Sequence, residues 1–257
     1  MSAALLAGED EPVIRVNGEG TSPFVLVCEH AGRQIPKSLG TLALTPRELE
    51  SHIAWDIGAE GVARRLADLL DAPLFLQRYS RLVYDCNRPP DVQSAIPVVS
   101  EVTRIPGNEH LSPEAKLARV EALYRPLHGA VVAFLDERAV RGVASIFVTI
   151  HSFTPVYKGV RRTLDLGILH DRDSRFADAM LGLCGRDITA RRNEPYGPQD
   201  GVCHTLNVHA EIRGLRNVML EIRNDLIGDT NGQRSWAQRL ATLLQSAAAP
   251  ALQRAAS

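Results

Sequence analysis

Three apolar stretches of this sequence each run directly into side chains that can bind a metal ion or transfer a proton. The stretches and the side chains that follow them are 24–28 with Glu29 and His30, 146–150 with His151, and 218–220 with Glu221. Two imidazoles and one carboxylate are a common ligand set for a catalytic zinc ion, which keeps a further position for water. A second carboxylate beside the ion can take a proton from that water. The residue types therefore indicate a metal-dependent hydrolase of amides or esters.

The stretch at 146–150 is short, β-branched and aromatic, and it is apolar on both faces. This pattern is typical of a central strand in a sheet that is covered on both sides. Open α/β sheets place their active sites at the carboxyl ends of such strands. Helical and strand-like segments alternate along the chain, which predicts an α/β fold with a mostly parallel or mixed sheet.

The elements around these strands follow from capping and periodicity. A capping box at residues 45–48 predicts a helix that continues to about residue 72. On such a helix His52 and Asp56 are four residues apart and share a face. Apolar neighbours predict partial burial, and a buried carboxylate needs a partner charge or a metal ion. Asp56 is therefore a further candidate ligand.

Further elements are predicted with less bearing on the site. They are strands at 74–76, 82–84 and 163–169, helices at 112–141, 174–184 and 233–254, a long loop at 90–111 and another at 196–206. His204 lies in the second loop and His209 close to it, and the sequence leaves open whether they line a pocket or face solvent. His128, on the helix at 112–141, is predicted to be structural.

A cluster of cationic and amide side chains predicts an anion site. Arg81, Asn87 and Arg88 lie near a predicted strand end, and the planar guanidinium fork of arginine matches a carboxylate. These residues would hold a carboxylate of the substrate. The alternative is surface ion pairing with Asp85 or Asp91.

Composition excludes several classes of protein. The chain has 257 residues, 45% of them hydrophobic and 23% charged, with a net charge of -1, so no nucleic acid or membrane surface is predicted as a partner. No apolar run approaches the roughly 20 residues that span a bilayer, and no convincing signal peptide begins the chain. The absence of a linker predicts one catalytic domain over residues 1–257, with residues 1–20 as a loosely ordered tail.

The four cysteines are widely spaced, without a CxxC pair. This spacing is typical of reduced cytoplasmic thiols. The sequence does not indicate the oligomeric state.

Five blocks of the sequence stand in the order that they have in a known family. They are 24–36 with Glu29-His30-Ala31-Gly32, 52–59, 78–90, 151–155 and 221–225. Over about residues 24–228 the chain thus resembles the N-formylglutamate amidohydrolase family. The resemblance implies a three-layer α/β/α fold with a mixed, mostly parallel sheet, like that of zinc carboxypeptidases and aspartoacylase. It also implies one Zn²⁺ ion and a small anionic N-acyl amino acid substrate, N-formyl-L-glutamate, cleaved to formate and L-glutamate.

The resemblance assigns roles to individual residues. It implies that His30 and His151 are zinc ligands and that Glu221 is the general base. It further implies that the substrate carboxylate is gripped by Arg81, Asn87 and Arg88. Because N-formylglutamate has two carboxylates, Arg223 is predicted to supplement this grip.

One departure from the wider fold group concerns the third ligand. That group uses a His-x-x-Glu pair, but Arg33 stands three residues after His30. The carboxylate ligand must then come from elsewhere. Asp56 is the predicted ligand, and Glu29 is the second choice because some family members carry proline at its position.

Three alternative functions stay open at this point. The chain could be a deacylase of another N-acyl amino acid or small amide, since its acyl pocket is not identifiable from sequence. It could be a cysteine hydrolase that uses Cys28 or Cys86 with a histidine. It could also be a non-catalytic protein that binds a metal or ligand on the same fold.

Overall fold

A seven-stranded sheet lies at the centre of the structure, a computed structural model that describes residues 5–255, with side chains described for residues 5–249. The strands are β1 (Val13–Val16), β2 (Phe24–Cys28), β3 (Leu74–Gln77), β4 (Val99–Ser100), β5 (Thr103–Arg104), β6 (Ile146–Phe153), β7 (Val156–Tyr157), β8 (Val160–Arg161), β9 (Leu166–Leu169), β10 (Ala190–Arg192) and β11 (Arg216–Arg223). The large sheet has the order β1-β3-β2-β6-β11-β9-β10, whereas β4-β5 and β7-β8 form separate hairpins.

Pairing in the large sheet is mixed and mostly parallel. Strands β3, β2, β6 and β11 run parallel to their neighbours in that order, and β10 runs parallel to β9. Only the pairs β1-β3 and β9-β11 are antiparallel. The predicted α/β fold with a mostly parallel mixed sheet is therefore confirmed.

Helices cover both faces of the sheet. They are α1 (Pro46–Glu50), α2 (Ala59–Leu70), α3 (Pro113–Arg119), α4 (Arg125–Val140), α5 (Arg175–Leu183), α6 (His204–His209) and α7 (Thr230–Ala255), and a π-helical turn at Val120–Tyr124 joins α3 to α4. Helices α2, α5 and α7 pack on one face, and the α3–α4 unit and α6 pack on the other. Within the described part of the chain, none of the helices combines the length and apolar character needed to cross a membrane.

Strand β2 illustrates why the central strands are apolar on both faces. Phe24, Leu26 and Cys28 pack into the core under α2 and α7, whereas Val25 and Val27 pack into the core under α4. All five residues are buried. Successive strand residues point to opposite faces, so a three-layer fold requires apolar residues at every position of such a strand.

The helix predicted from residue 45 to about residue 72 is wrong in its middle. Helix α1 ends at Glu50 and α2 begins at Ala59. Ser51 has extended backbone angles, and Gly58 has φ +80°, a left-handed conformation that a continuous α-helix does not contain. His52 and Asp56 therefore lie in a connecting segment and do not share a helix face.

Three further predictions need correction. Residues 82–84 form a buried turn and not a strand, because the backbone N–H groups of Val83 and Tyr84 donate to Ser80 O. The predicted loose tail is also wrong in part, since β1 pairs with β3 at the sheet edge. Residues 1–4 lie outside the described part of the chain. The predicted loop at 90–111 contains the β4-β5 hairpin.

Gly58 is expected to be essential to the segment that carries Asp56. A Cβ atom there would lie 2.1 Å from Ile227 O, in a backbone conformation that disfavours side chains. We expect Gly58→Ala to lower the free energy of unfolding by about 2–4 kcal/mol. Gly129→Ala is the matched control, because Gly129 lies in α4 with nothing within 4 Å of its added Cβ, and we expect it to stabilise by about 0.5–1 kcal/mol. Urea unfolding of both variants measures the difference, and equal stabilities would contradict the prediction.

Candidate functional site

Three potential ligand atoms meet at the carboxyl ends of the central strands. His151 Nδ1 lies 2.9 Å from Asp56 Oδ2 and 3.2 Å from His30 Nδ1. His30 Nδ1 lies 3.4 Å from Asp56 Oδ2. All three residues are buried, and they form a group with the donor types and mutual distances of a metal site. The structure thus brings together the three residues that the sequence analysis named as metal ligands.

The backbone explains how residues distant in sequence reach this point. His30 follows β2, and β2 pairs in parallel with β6, which carries His151. The connecting segment 51–58 is tied to both strands: Asp56 N donates to His30 O at 2.9 Å, and Asp56 Oδ2 accepts from Ser152 N at 3.2 Å. Asp56 is therefore held between the two histidines by main-chain contacts.

Two outer carboxylates lie beside the second nitrogens of the two imidazoles. Asp85 Oδ1 lies 2.7 Å from His30 Nε2, so His30 donates from Nε2 and presents the lone pair of Nδ1 to the centre. Glu29 Oε2 lies 3.1 Å from His151 Nε2, at ion-pair distance on the far side of that ring. Metal-binding histidines are commonly oriented in this way by a carboxylate on the second nitrogen.

These positions separate the two candidates for the third ligand. The carboxylate of Asp56 lies at the centre of the cluster, whereas Glu29 contacts the outer nitrogen of His151. Glu29, the second choice from sequence, is not among the converging atoms.

Strong electrostatic interactions act within the cluster. Burial alone would raise the pKa of Glu29, but the charge of His151 outweighs it and lowers the pKa to about 2. In the same way, burial opposes ionisation of Asp56 and Asp85, yet the cations around them hold the pKa of each well below its usual range. Burial disfavours the charged forms of His30 and His151, but the neighbouring carboxylates raise the pKa of both.

The donor set fits one divalent cation. A tetrahedral ion with bonds of about 2.0–2.1 Å holds neighbouring ligand atoms about 3.3–3.4 Å apart, close to the separations of 2.9–3.4 Å found here. Glu29, Asp56 and Asp85 are buried carboxylates, and the guanidinium of Arg81 is paired with Asp56 and Asp85. The charges of these four groups sum to minus two. A divalent ion balances this sum when both imidazoles are neutral, as metal ligands must be, and the neighbouring Glu221 is protonated.

Glu221 stands beside the three converging residues. In the parallel pairing of β11 with β6, Glu221 is the partner of His151, and cross-strand partners point to the same face. Its other neighbour is Gly167, where an added Cβ would lie 3.1 Å from Glu221 Cβ. Burial raises the pKa of Glu221 to about 7. Its Oε2 is buried without a hydrogen-bond partner among the described residues, so it is free to interact with a bound molecule.

The cluster forms part of the lining of a cavity of about 430 Å³. His30, Asp56, His151 and Glu221 contribute to one wall. A larger groove of about 730 Å³ lies between α5 and α7, but none of the predicted site residues lines it. The smaller cavity is thus the one that combines space for a ligand with reactive groups.

The three residues predicted to hold a carboxylate all line this cavity. They differ in the contacts that each side chain already makes within the protein. Arg81 is paired with Asp56 at 3.3 Å and with Asp85 at 2.7 Å. Asn87 is buried, donating from Nδ2 to Val202 O and accepting at Oδ1 from Thr205 N. Arg88 donates to the backbone oxygens of Asn87 and Gly201 and forms no salt bridge with any described residue. Arg88 is therefore the member of this set whose charge is unneutralised.

The structure does not bring Arg223 to the cavity. Its guanidinium lies 2.7 Å from Asp225 and 3.2 Å from Asp165, and it donates to the backbone of the segment before β9. These contacts hold the side chain against the segment that precedes β9, and Arg223 does not line the cavity. Arg162 lines the cavity instead, and sequence reasoning did not single it out.

The other histidines named in the sequence analysis fall into two groups. His52 lines the cavity and lies 2.9 Å from Glu101 Oε2. His128, His204 and His209 form a separate cluster, in which His128 and His209 are buried and His204 is half-buried. His209 Nε2 lies 2.7 Å from His128 Nδ1. Burial lowers the pKa of His204 to about 4 and that of His209 to about 3. At neutral pH these lowered pKa values favour the uncharged form of both rings.

The cysteine alternative does not fit the site. Cys28 and Cys86 are fully buried, neither lines the cavity, and burial raises the pKa of both thiols. A nucleophilic thiol needs an accessible, low-pKa environment. Neither cysteine has one.

Sequence reasoning treated Asp85 only as a surface partner for arginine. The available signal was its position four residues after Arg81 inside a block already predicted to lie at the site. Its contact with His30 could not be inferred from spacing, because residues 82–84 were predicted to form a strand and are a turn.

Comparisons with known proteins agree with this description. The family model of N-formylglutamate amidohydrolase matches residues 22–228. A gene product of Agrobacterium tumefaciens of known crystal structure is 51% identical, over 95% of this chain and 97% of its own, with a TM-score of 0.93. The N-formylglutamate amidohydrolase from Ralstonia eutropha is 19% identical, over 93% of this chain and 97% of its own, with a TM-score of 0.69, which supports the fold.

A more distant similarity is to a metallo-carboxypeptidase from Burkholderia cenocepacia, 14% identical over 98% of this chain and 68% of its own, with a TM-score of 0.37. None of the curated proteins matches the chain.

Asp85 is expected to control metal affinity although it is not among the converging atoms. We expect Asp85→Asn to weaken Zn²⁺ binding about 10–100-fold, because it removes the charge that orients His30. Competition with a chromophoric chelator measures the affinity. Asp225→Asn is the matched control, since Asp225 is exposed and pairs with Arg223 away from the cavity. Equal affinities in the two variants would show that Asp85 does not act through His30.

Proposed function

The chain belongs to the N-formylglutamate amidohydrolase family, and on that premise we propose that it is a zinc-dependent enzyme that cleaves N-formyl-L-glutamate to formate and L-glutamate. The observation that carries the proposal is the convergence of His30, Asp56 and His151 beside Glu221, in a cavity lined by arginines. Residues 1–257 are proposed to act as one catalytic domain.

One Zn²⁺ ion is the proposed cofactor, held by His30, Asp56 and His151. Two imidazoles and one carboxylate are a ligand set of catalytic zinc. When bound, such an ion polarises a carbonyl group and lowers the pKa of water. The protein contributes the fixed directions of the ligands, through Asp85 on His30, Glu29 on His151 and Arg81 on Asp56.

Glu221 is the proposed general base. Its carboxylate lies in the cavity wall next to His151, with one oxygen free of protein hydrogen bonds among the described residues. It accepts a proton from the water molecule that attacks the formyl carbon. As the C–N bond breaks, it returns that proton to the leaving nitrogen, so that formate and the free amine result.

Arg88 is the proposed binding group for the α-carboxylate of the substrate. Its guanidinium donates to two backbone oxygens through one nitrogen, Nη1, which leaves other N–H groups for an anion. Asn87 holds the segment at 202–205 in place through Val202 and Thr205. Arg81 adds positive charge to the wall while its main contacts are with Asp56 and Asp85.

Metal analysis combined with a substrate panel tests the proposal. We expect about one zinc per chain, and hydrolysis of N-formyl-L-glutamate that a chelator abolishes and added Zn²⁺ restores. N-acetyl-L-glutamate, which differs from N-formyl-L-glutamate only in its acyl group, is the comparison substrate. Formate release that is insensitive to chelation, or no release by zinc-loaded protein, would overturn the proposal.

The role of Glu221 can be separated from that of the metal ligands. We expect Glu221→Gln to retain zinc while kcat falls about 10²–10⁴-fold, because the amide cannot accept the proton. Glu50→Gln, an exposed change on α1, is the control and should leave kcat unaltered. Zinc content and initial rates are measured on the same preparations. An unaltered kcat in the Glu221→Gln variant would show that Glu221 is not the general base.

A further inference from the structure

We propose that Arg162 binds the side-chain carboxylate of the substrate and thereby selects acidic N-formyl amino acids over neutral ones. The inference rests on the proposed function for the reaction itself. It adds a specificity-determining residue that lies outside the segments at 81–88 and 221–225. Its basis is the charge state of the cavity wall and the way in which the guanidinium is held.

The basic side chains of the cavity wall differ in whether a carboxylate lies beside them. Arg81 is paired with two aspartates, and His52 lies at ion-pair distance from Glu101. Arg88 and Arg162 line the same cavity, and neither has a salt-bridge partner among the residues described. The wall therefore offers two unneutralised guanidinium groups, and the proposed substrate has two carboxylates.

The guanidinium of Arg162 is held by aromatic rings and not by acidic groups. Its Cζ lies 4.5 Å from the ring centre of Tyr157, 4.8 Å from that of Tyr196 and 5.7 Å from that of Phe153. Cation–π contacts of this kind fix an arginine in place without using its hydrogen-bonding edge. The charge thus stays available to an incoming anion.

Few of the donors of Arg162 are used within the protein. A guanidinium carries five N–H groups, and within the described residues the only partner of this side chain is the hydroxyl of Tyr196, which accepts from Nη1 at 2.9 Å. The side chain is partly exposed at the cavity. A bidentate contact with a carboxylate matches the donors that remain.

The main chain fixes Arg162 relative to the candidate metal centre. Strand β6 carries His151 and leads into the β7-β8 hairpin, and Arg162 follows that hairpin directly. Arg162 N donates to Pro155 O at 2.8 Å, which closes the base of the hairpin. One continuous segment therefore places both His151, a candidate metal ligand, and the guanidinium of Arg162 in the lining of the same cavity.

Binding measurements test the inference without requiring turnover. We expect zinc-loaded protein to bind L-glutamate more tightly than L-glutamine, and Arg162→Gln to reduce this preference about 30-fold, the effect of losing charge-assisted hydrogen bonds. Calorimetric titration with both amino acids at fixed ionic strength measures it. Arg161→Gln is the matched control, because Arg161 is the exposed neighbour that does not line the cavity. Arg162→Lys keeps the charge but not the planar fork, and should retain part of the preference.

The same inference can be tested kinetically, with N-formyl-L-glutamate and N-formyl-L-glutamine as substrates. We expect Arg162→Gln to lower the ratio of their kcat/KM values about 30-fold, mainly through the KM for the glutamate derivative, with zinc content preserved. A preference that survives in Arg162→Gln, or that falls equally in Arg161→Gln, would overturn the assignment. If wild-type protein shows the binding preference but hydrolyses neither substrate, the proposed function fails while the role of Arg162 stands.

Discussion

The structure depends on keeping three carboxylates buried at the carboxyl ends of β2 and β6. Glu29, Asp56 and Asp85 are each almost wholly inaccessible, and a buried charge is costly unless it is paired. Arg81 balances one of them by bridging Asp56 and Asp85. The two imidazoles must supply the remaining balance, either as cations or as ligands of a divalent ion. The need for charge balance thus accounts for the ligands, their orienting carboxylates and the bridging arginine together.

This constraint explains the local chain path. Asp56 can reach the histidines only because the helical segment is interrupted between α1 and α2, where Gly58 packs against the backbone of Ile227. Asp85 can reach His30 only because residues 82–84 turn and do not extend. In both places an irregular backbone delivers a carboxylate that a regular element would have directed elsewhere.

The same two places mark the limit of what sequence could predict. His30, His151 and Glu221 were found because a strand end is visible locally, as an apolar run followed by a polar residue. The fold class followed from the alternation of elements. The break at residues 51–58 was missed because a strong capping box at Thr45 and apolar spacing beyond it both favour one long helix. The roles of Arg223 and Arg162 could not be distinguished from sequence, because part of the surroundings of each is distant in sequence: Asp165 for Arg223, and Tyr196 for Arg162.

The cavity combines a rigid floor with a rim of different construction. Central strands with residues buried on both faces carry His151 and Glu221, and His30 and Asp56 lie in buried segments that hydrogen bonds tie to each other and to β6. The rim consists of the short β4-β5 and β7-β8 hairpins, which meet where Glu101 accepts from Lys158 N at 2.7 Å. Reaction geometry requires precise positions, which a packed sheet provides. Recognition of one substrate side chain requires only a charged residue at the edge of the cavity. A hairpin can present such a residue, and its substitution leaves the core undisturbed. On this division, we expect substitutions in the rim to alter the proposed substrate preference while leaving the buried charge balance of the floor undisturbed.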